Sequence, residues 1–552
     1  MIADIHITEK SFGDKTLMKD VKFSVDDGEK VGVVGRNGVG KSTLFGILAG
    51  MDNDYTGEVV FRRGITVATT AQEHHGLGEQ TVMTYILSGL PEYPELKKII
   101  DEYPLTMGDN MRKIEEYTQA LERFDQKGFY QIEEKIEREL SNFQLDGFGN
   151  RKISSLSGGQ KRLVEIVKIM HSEAHLALID EPTNHMDYVA KQQFIDWMNS
   201  QPHQAMLIIT HDRDVLGQVD RIVEIKDGQA VSYRGNYDAY LKQNAQATTA
   251  GMNNFEQIEK RIVNLKQKVL DYQRLKEKSR NPGTIQKFKR LENEARAELA
   301  ELSEMEKPTF WIDKESASQL DYKSAERYGK FKSRNIRLSM KDASSRSQHV
   351  LVRAENVAVG IGERILFEDV NIDLREGEAI EIRGRNGAGK TTLIRMILAS
   401  GKSFDGGPVL YSGDIFLDPQ VRIGVYEQEI DERYLSDPLE KAIEKLYMSR
   451  DLSISDTKIR QLLADYLFTD ADRMTPLARL SGGQKARFQI ISMLANDPQL
   501  LVLDEPTNHL DLPSIEELET SLAKYSGAIL YVSHDNYFRE KLGGKVVQIG
   551  AE

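Results

Sequence analysis

Two ordered sets of the same short motifs, one in each half of the chain, constrain the fold more than any other feature. Gly35-Arg36-Asn37-Gly38-Val39-Gly40-Lys41-Ser42 precedes Leu156-Ser157-Gly158-Gly159-Gln160 and then Leu178-Ile179-Asp180-Glu181-Pro182. Gly384-Arg385-Asn386-Gly387-Ala388-Gly389-Lys390-Thr391 opens a second round, continued by Leu480-Ser481-Gly482-Gly483-Gln484 and Leu503-Asp504-Glu505-Pro506. Residues 13–41 align on 362–390 without a gap. Each glycine-rich string follows a strand-like run (Val31 to Val34; Ala379 to Ile382) and precedes a helix-compatible one (Thr43 to Leu48; Thr392 to Ile397). Strand, glycine loop and helix form the context a phosphate loop requires. The expectation is an α/β protein with two tandem ATPase units.

The chemistry follows from the residue types. Backbone N–H groups of a glycine loop turn toward phosphate oxygens, and the dipole of the following helix adds to their pull. Lys41 and Lys390 are expected to neutralise the β and γ phosphates, with the Ser42 and Thr391 hydroxyls placed to ligate Mg²⁺. Asp180 and Asp504 end apolar runs and belong beside the same metal. Glu181 and Glu505 come next, positioned to polarise the attacking water. Two consecutive acids at the end of a buried strand are costly without a cation. His211 and His534 lie 31 and 30 residues after Asp180 and Asp504, and read as γ-phosphate sensors. Gln72 and Gln428, each after a strand-like run, are candidates to watch metal and water.

Composition narrows the class. The chain has no cysteine, which removes disulfides, thiolate zinc and cysteine-ligated iron–sulfur clusters. No stretch of about 18 apolar residues and no export signal is visible, so no membrane span or membrane subunit is expected and a cytoplasmic location is. The net charge of −13 is unevenly spread, because residues 251–345 hold 21 Lys and Arg against 15 Asp and Glu. A basic insert sits between acidic blocks.

Three regions result: 1–244, 245–348 and 349–552. The first motif set has about 25 more residues between glycine-loop lysine and signature serine than the second, assigned to 90–140. They make either a surface insertion or a helical arm for a partner. Between the repeats, Phe255, Ile258, Ile262, Leu265, Val269 and Tyr272 recur at steps of three and four, a coiled-coil seam. Ile285, Phe288, Leu291, Ala295, Leu299 and Leu302 form a second seam, with a turn expected at Asn281-Pro282-Gly283. An antiparallel hairpin follows, with arms of about 25 residues. Its tip (about 274–290) concentrates Arg274, Lys276, Lys278, Arg280, Lys287, Lys289 and Arg290. Such a cluster is either a solvated charge run or a contact for a phosphate backbone, and its place at the end of a hairpin in an acidic chain favours RNA. Lys323, Arg327, Lys330, Lys332, Arg334, Arg337 and Lys341 form a second basic group, open equally to RNA contact or solvation.

The Leu-Ser-Gly-Gly-Gln signatures resemble those of the ATP-binding cassette superfamily. Glu181-Pro182-Thr183-Asn184-His185-Met186-Asp187 and Glu505-Pro506-Thr507-Asn508-His509-Leu510-Asp511 are similar to the string of its ABC-F class, Met186 being the one departure. Gly235-Asn236-Tyr237-Asp238-Ala239-Tyr240-Leu241 resembles the segment closing that class's first cassette. The resemblance implies two cassettes, each a mixed sheet plus a helical subdomain, joined by an α-helical hairpin linker and paired head to tail within one monomer. One site would then combine Lys41, Ser42, Gln72, Asp180, Glu181 and His211 with Ser481, Gly482 and Gly483. The other would combine Lys390, Thr391, Gln428, Asp504, Glu505 and His534 with Ser157, Gly158 and Gly159. Gly35, Asn37, Gly38, Gly40, Thr43 and Gln160, with Gly384, Asn386, Gly387, Gly389, Thr392 and Gln484, complete the implied ATP contacts, and Gln72 and Gln428 join the implied Mg²⁺ set. Phe12 occupies the place of the class's base-stacking aromatic, whereas the aligned residue of the second copy is Ile361. The implied partner is the ribosome, with the linker approaching peptidyl-tRNA and rRNA. The implied role is a translation factor, with antibiotic resistance by ribosome protection as the alternative and a transporter energy module behind both.

Overall fold

The computed structural model describes the chain except residues 13–14, 71–77, 109, 185, 304, 306, 319, 321, 339, 341–348, 403–406, 428–429 and 551–552. Gln72 and Gln428 therefore lie outside the described residues, as does Lys341. The chain divides into two compact units, Met1–Tyr237 with Ile336–Glu552, and Asp238–Asn335.

The first unit contains both repeats, each built on a parallel sheet. In the first repeat the strand order is Val67–Thr69, Leu176–Asp180, Ala205–Ile209, Lys30–Val34, Arg221–Lys226 and Gln229–Arg234, parallel except for the last pair. In the second it is Ile423–Tyr426, Leu500–Asp504, Ala528–Val532, Ala379–Arg383 and Lys545–Gln548, parallel throughout. The central strands read as unbroken apolar runs because helices and a second sheet cover both faces, so every residue from Leu176 to Asp180 and from Leu500 to Asp504 is buried. A three-stranded antiparallel sheet accompanies each, with Ala3–Phe12 or Val350–Ile361 in the middle.

Parallel strands in this topology expose their carboxyl ends along one edge, where α/β folds gather ligand-binding groups. Val34, Asp180 and Ile209 end there in the first repeat, and Arg383, Asp504 and Val532 in the second. Between the glycine loop and the signature, the first repeat inserts helices Val82–Ser88, Tyr93–Thr106, Met111–Gln126 and Ile132–Asn142. Tyr93, Phe124 and Phe129 pack as an aromatic triangle with centroids 5.2–5.6 Å apart, anchoring the two longer helices to the core.

The second unit is a helical hairpin. Its first helix runs unbroken from Tyr237 to Lys278, so residues 244 and 245 lie inside it and this arm exceeds the expected 25 residues. The second helix is Pro282–Ser303. The turn falls at residues 279–281, earlier than expected, because Pro282 opens the second helix, where its missing N–H costs nothing. The Asn281 side chain accepts the Gly283 N–H at 2.9 Å. Leu265, Val269 and Ala295 are buried in the seam with Tyr272, Leu299 and Leu302 against them, and Tyr272 stacks on Phe288 at 6.4 Å.

Candidate active sites

The glycine loops close on themselves in the same way twice. Gly40 and Gly389 hold φ of 104° and 99°, where a side chain would also strike Leu17 in one copy and Phe367 in the other. Each loop ends in a helix, Lys41–Leu48 or Lys390–Leu398, that carries its lysine in the first turn. Lys41 Nζ donates to the carbonyls of Gly35 (2.7 Å) and Arg36 (3.2 Å); Lys390 Nζ donates to those of Gly384 (2.9 Å) and Arg385 (3.0 Å). Burial pushes both ammonium groups down, against the opposing pull of Glu181 on Lys41 and of Glu505 on Lys390. A polyanion arriving at these lysines meets cations already stripped of water.

Of the residues proposed for Mg²⁺, the hydroxyl and the aspartate lie in contact in each copy. Ser42 Oγ donates to Asp180 Oδ2 at 3.0 Å, and Thr391 Oγ1 to Asp504 Oδ2 at 2.7 Å. One hydroxyl and one carboxylate suit Mg²⁺, which keeps several waters and takes its remaining ligands from phosphates. Among the described residues there is no cluster of three or more His, Asp or Glu that would form an all-protein cage. When bound, Mg²⁺ would supply charge neutralisation at the β and γ phosphates.

Glu181 and Glu505 follow with φ of 47° and 51°, a left-handed backbone uncommon outside glycine and held here by tertiary hydrogen bonds. Glu181 N donates to Ile209 O (2.7 Å) and Glu505 N to Val532 O (3.0 Å). Burial, reinforced by Asp180, raises Glu181 to about 8; burial raises Glu505 to about 7, with Lys390 opposing. Both have the proton affinity of a general base near neutrality. The histidines stand beside them: His211 Nε2 is 3.6 Å from Glu181 Oε1, and His534 Nε2 is 3.3 Å from Glu505 Oε1. Burial, with the nearby lysine adding, lowers both imidazoles to about 3, so they are neutral and able to donate one N–H.

The signature serines explain their own spacing. Ser157 caps helix Gly158–His171 and Ser481 caps Gly482–Leu494, each in a reciprocal capping box with the glutamine three residues on. Gln160 Oε1 accepts the Ser157 N–H at 3.0 Å, and Gln484 Oε1 accepts the Ser481 N–H at 2.9 Å. These glutamines orient the helix N-terminus that the resemblance places at phosphate.

The two repeats meet head to tail. Ser157, Gly158 and Gly159 line a cavity of about 800 Å³ together with Asn386, Gly387, Lys390, Thr391, Thr392, Glu505 and His534. Ile361, the counterpart of Phe12, lines it too. On the other side, a Cβ on Gly483 would fall 2.0 Å from Asn37 Nδ2, which itself donates to His509 O at 2.9 Å. Phe12 is more than half exposed, and Lys10 Nζ lies 4.8 Å from its ring centroid.

Two aspartates given no role from sequence lock this arrangement. Asp187 Oδ2 accepts the backbone N–H of Asn386 at 3.1 Å, and Asp511 Oδ2 that of Asn37 at 3.2 Å. Burial works against charge on Asp187, but the N–H groups of Ala190 and Asn386 outweigh it and hold the carboxyl below its ordinary range. Each aspartate also caps its own helix, Tyr188–Ser200 or Leu512–Ala523. One oxygen caps and the other crosses to the opposite glycine loop, which local sequence patterns cannot reveal.

At the hairpin tip, Arg274, Lys278, Arg280, Lys287 and Lys289 are exposed. Lys276 instead donates to the buried Glu292 at 2.5 Å, and Arg290 pairs with Glu294 at 3.2 Å.

The chain is similar to known proteins along most of its length. The family model described as "ABC transporter" matches residues 18–184 and 367–508, more than half of the chain. The chain belongs to the ABC-F family of ATP-binding cassette proteins. It is an ATP hydrolase of that type. It is 29% identical to "ABC transporter F family member 2" of Arabidopsis thaliana, over 98% of this chain and 75% of that protein. It is 27% identical both to "Ribosome protection protein VmlR" of Bacillus subtilis (96% of this chain, 83% of the relative) and to "Energy-dependent translational throttle protein EttA" of Mycobacterium tuberculosis (96% and 88%). Among solved structures, the complex of an archaeal ribosomal stalk protein with the recycling factor aABCE1 matches with a TM-score of 0.58 at 17% identity, covering 99% of this chain and 87% of that one, a likeness of fold. Among the described residues no helix is long and apolar enough to cross a membrane.

Proposed function

We propose that this ABC-F ATPase binds two Mg–ATP between its paired cassettes and uses closure and hydrolysis to engage and release the ribosome, acting as a cytoplasmic translation factor. The observation that carries this reading is the match to relatives named for ribosome protection and for translation over 96% of the chain, a span that takes in the hairpin between the cassettes. In this reading ATP lies between the glycine loop of one cassette and the signature serine of the other. Glu181 and Glu505 take a proton from the attacking water while His211 and His534 hold the γ-phosphate. ATP bridging both halves stabilises the closed pair, and its hydrolysis removes that bridge.

The exposed cations at the hairpin tip suit peptidyl-tRNA or rRNA phosphates. Only residues 279–281 separate the two helices, a connection too short for the elongated loop that a drug-displacing protein would insert. That favours a translation factor over ribosome protection. The test is co-sedimentation. A Glu181→Gln, Glu505→Gln variant with ATP should pellet with ribosomes as a monomer, and omission of ATP should release it. Recovery in the membrane fraction, with none on ribosomes, would refute the proposal.

A further inference from the structure

The two ATP sites have matching motifs and unequal surroundings. Asp187 aligns on Asp511, so Lys191, one turn further along its helix, aligns on Ile515. Lys191 is buried at the meeting of the cassettes, its side chain 5% exposed. Its Nζ donates to Asp214 Oδ2 (2.6 Å), lies 3.2 Å from Asp212 Oδ2, and donates to the carbonyl of His534 in the opposite cassette (2.8 Å). Asn536, two residues beyond His534, donates to the same Asp214 Oδ2 at 2.8 Å. One ammonium thus ties the loop after His211 to the loop carrying His534. A buried ammonium is costly unless every proton has an acceptor, and these three oxygens supply the acceptors. Ile515 can form no such bridge to the carbonyl of His211; on that side the tie is instead Arg213, two residues beyond His211, donating to the buried Glu519 at 2.7 Å.

We infer that Lys191 is a positioning residue for His534, coupling the His211 loop to the Glu505 site alone and making the two ATP sites mechanically unequal. The inference rests on Glu181 and Glu505 each serving their own site. Lys191 touches His534 through a backbone carbonyl and lines the same cavity, so it sets where the imidazole stands from the edge of the site. Its loss changes transition-state geometry more than ground-state binding, which appears in kcat rather than in KM.

The experiment isolates each site in the full chain. Glu181→Gln leaves turnover at the Glu505 site, Glu505→Gln leaves it at the Glu181 site, and the double variant silences both. If the double variant still turned over at the wild-type rate, the assignment of the glutamates would fail whatever Lys191 does. Lys191→Met added to Glu181→Gln should lower kcat on the order of tenfold with KM within about threefold. Added to Glu505→Gln it should leave kcat within about twofold, and Lys191→Arg should restore most of the lost rate. Equal losses at both sites would mark a packing role in the shared interface and overturn the inference, as would no loss at either. Should Lys191→Met not fold, Asp214→Ala removes the acceptor of the shorter tether and carries the same expectation at the same site.

Discussion

Glu505 gives the sharpest quantitative expectation. Its side chain is buried, and burial raises it from an ordinary 4.5 to about 7 against the pull of Lys390. For an acid raised on folding, the contribution to stability is fully present below the unfolded value and lost as pH rises through the folded one. Between pH 4.5 and about 7, nucleotide-free protein should therefore lose roughly 3 kcal/mol on account of this one carboxyl, at about 1.4 kcal/mol for each tenfold change in proton affinity. Glu505→Gln keeps the shape and cannot ionise, so its stability relative to the wild type should climb across that window and flatten above it. Burial lowers His211 and His534 to about 3, so both proteins also lose stability as pH falls below about 6.5, a loss that largely cancels in the difference. The assay is chemical unfolding of the nucleotide-free wild type and variant from pH 5 to 8.5, followed by the fluorescence of Trp197 and Trp311. A difference between variant and wild type that stays constant with pH would refute the burial argument. So would one that shrinks as pH rises.

Three further outcomes follow from the geometry. Asp511→Ala removes the acceptor of Asn37 N–H and leaves a half-buried donor unpaired, which costs about 1 kcal/mol of cassette pairing and should lower ATP turnover several-fold in a phosphate-release assay. Asp187→Ala should do the same through Asn386. Replacing Lys278, Lys287 and Lys289 together by Gln should flatten the salt dependence of RNA binding by about two to three in log–log slope, whereas Lys276→Gln should change it little and instead weaken the hairpin, where Glu292 would keep Arg296 on its own helix but lose its tie to the first helix. Gly389→Ala should abolish ATP binding at its site in equilibrium dialysis, because the added carbon meets Phe367 at 2.9 Å on a backbone of φ 99°.

Much of this molecule could be read from residue order. Strand, glycine loop and helix announce themselves through a short apolar run and glycines that only one backbone path accommodates. The Ser-x-x-Gln signature announces a capped helix because the cap is a local interaction. The hairpin seam was visible only where a second helix packs on the first. Upstream of Phe255 the helix continues to Tyr237 without that pattern, since Met252 packs instead on Ile312, Tyr328 and Phe331 from distant sequence. Pro282 reads as a break in sequence yet opens a helix, the two uses of proline being alike in composition and opposite in structure. Asp187, Asp511 and Lys191 were invisible as partners for a different reason. A capping aspartate and a helical lysine each have a sufficient local explanation, and their second contact lies about 200 to 470 residues away.

Such long-range contacts are where a duplicated chain can diverge without disturbing its motifs. Glycine loops, acid pairs and histidines must match in both copies, because phosphate and water impose the same geometry on each. Position 191 faces the opposite cassette, so nothing in the chemistry requires it to equal position 515. With lysine at one and isoleucine at the other, Glu505, raised by burial, has Lys390 and Lys191 opposing that rise, and Glu181, raised by burial and by Asp180, has Lys41 and Arg162 opposing it. Both glutamates keep a raised proton affinity, although the second cation beside each comes from a different helix, Gly158–His171 for Arg162 and Tyr188–Ser200 for Lys191. The motifs are thus shared by the two copies while the long-range neighbours of their glutamates are not.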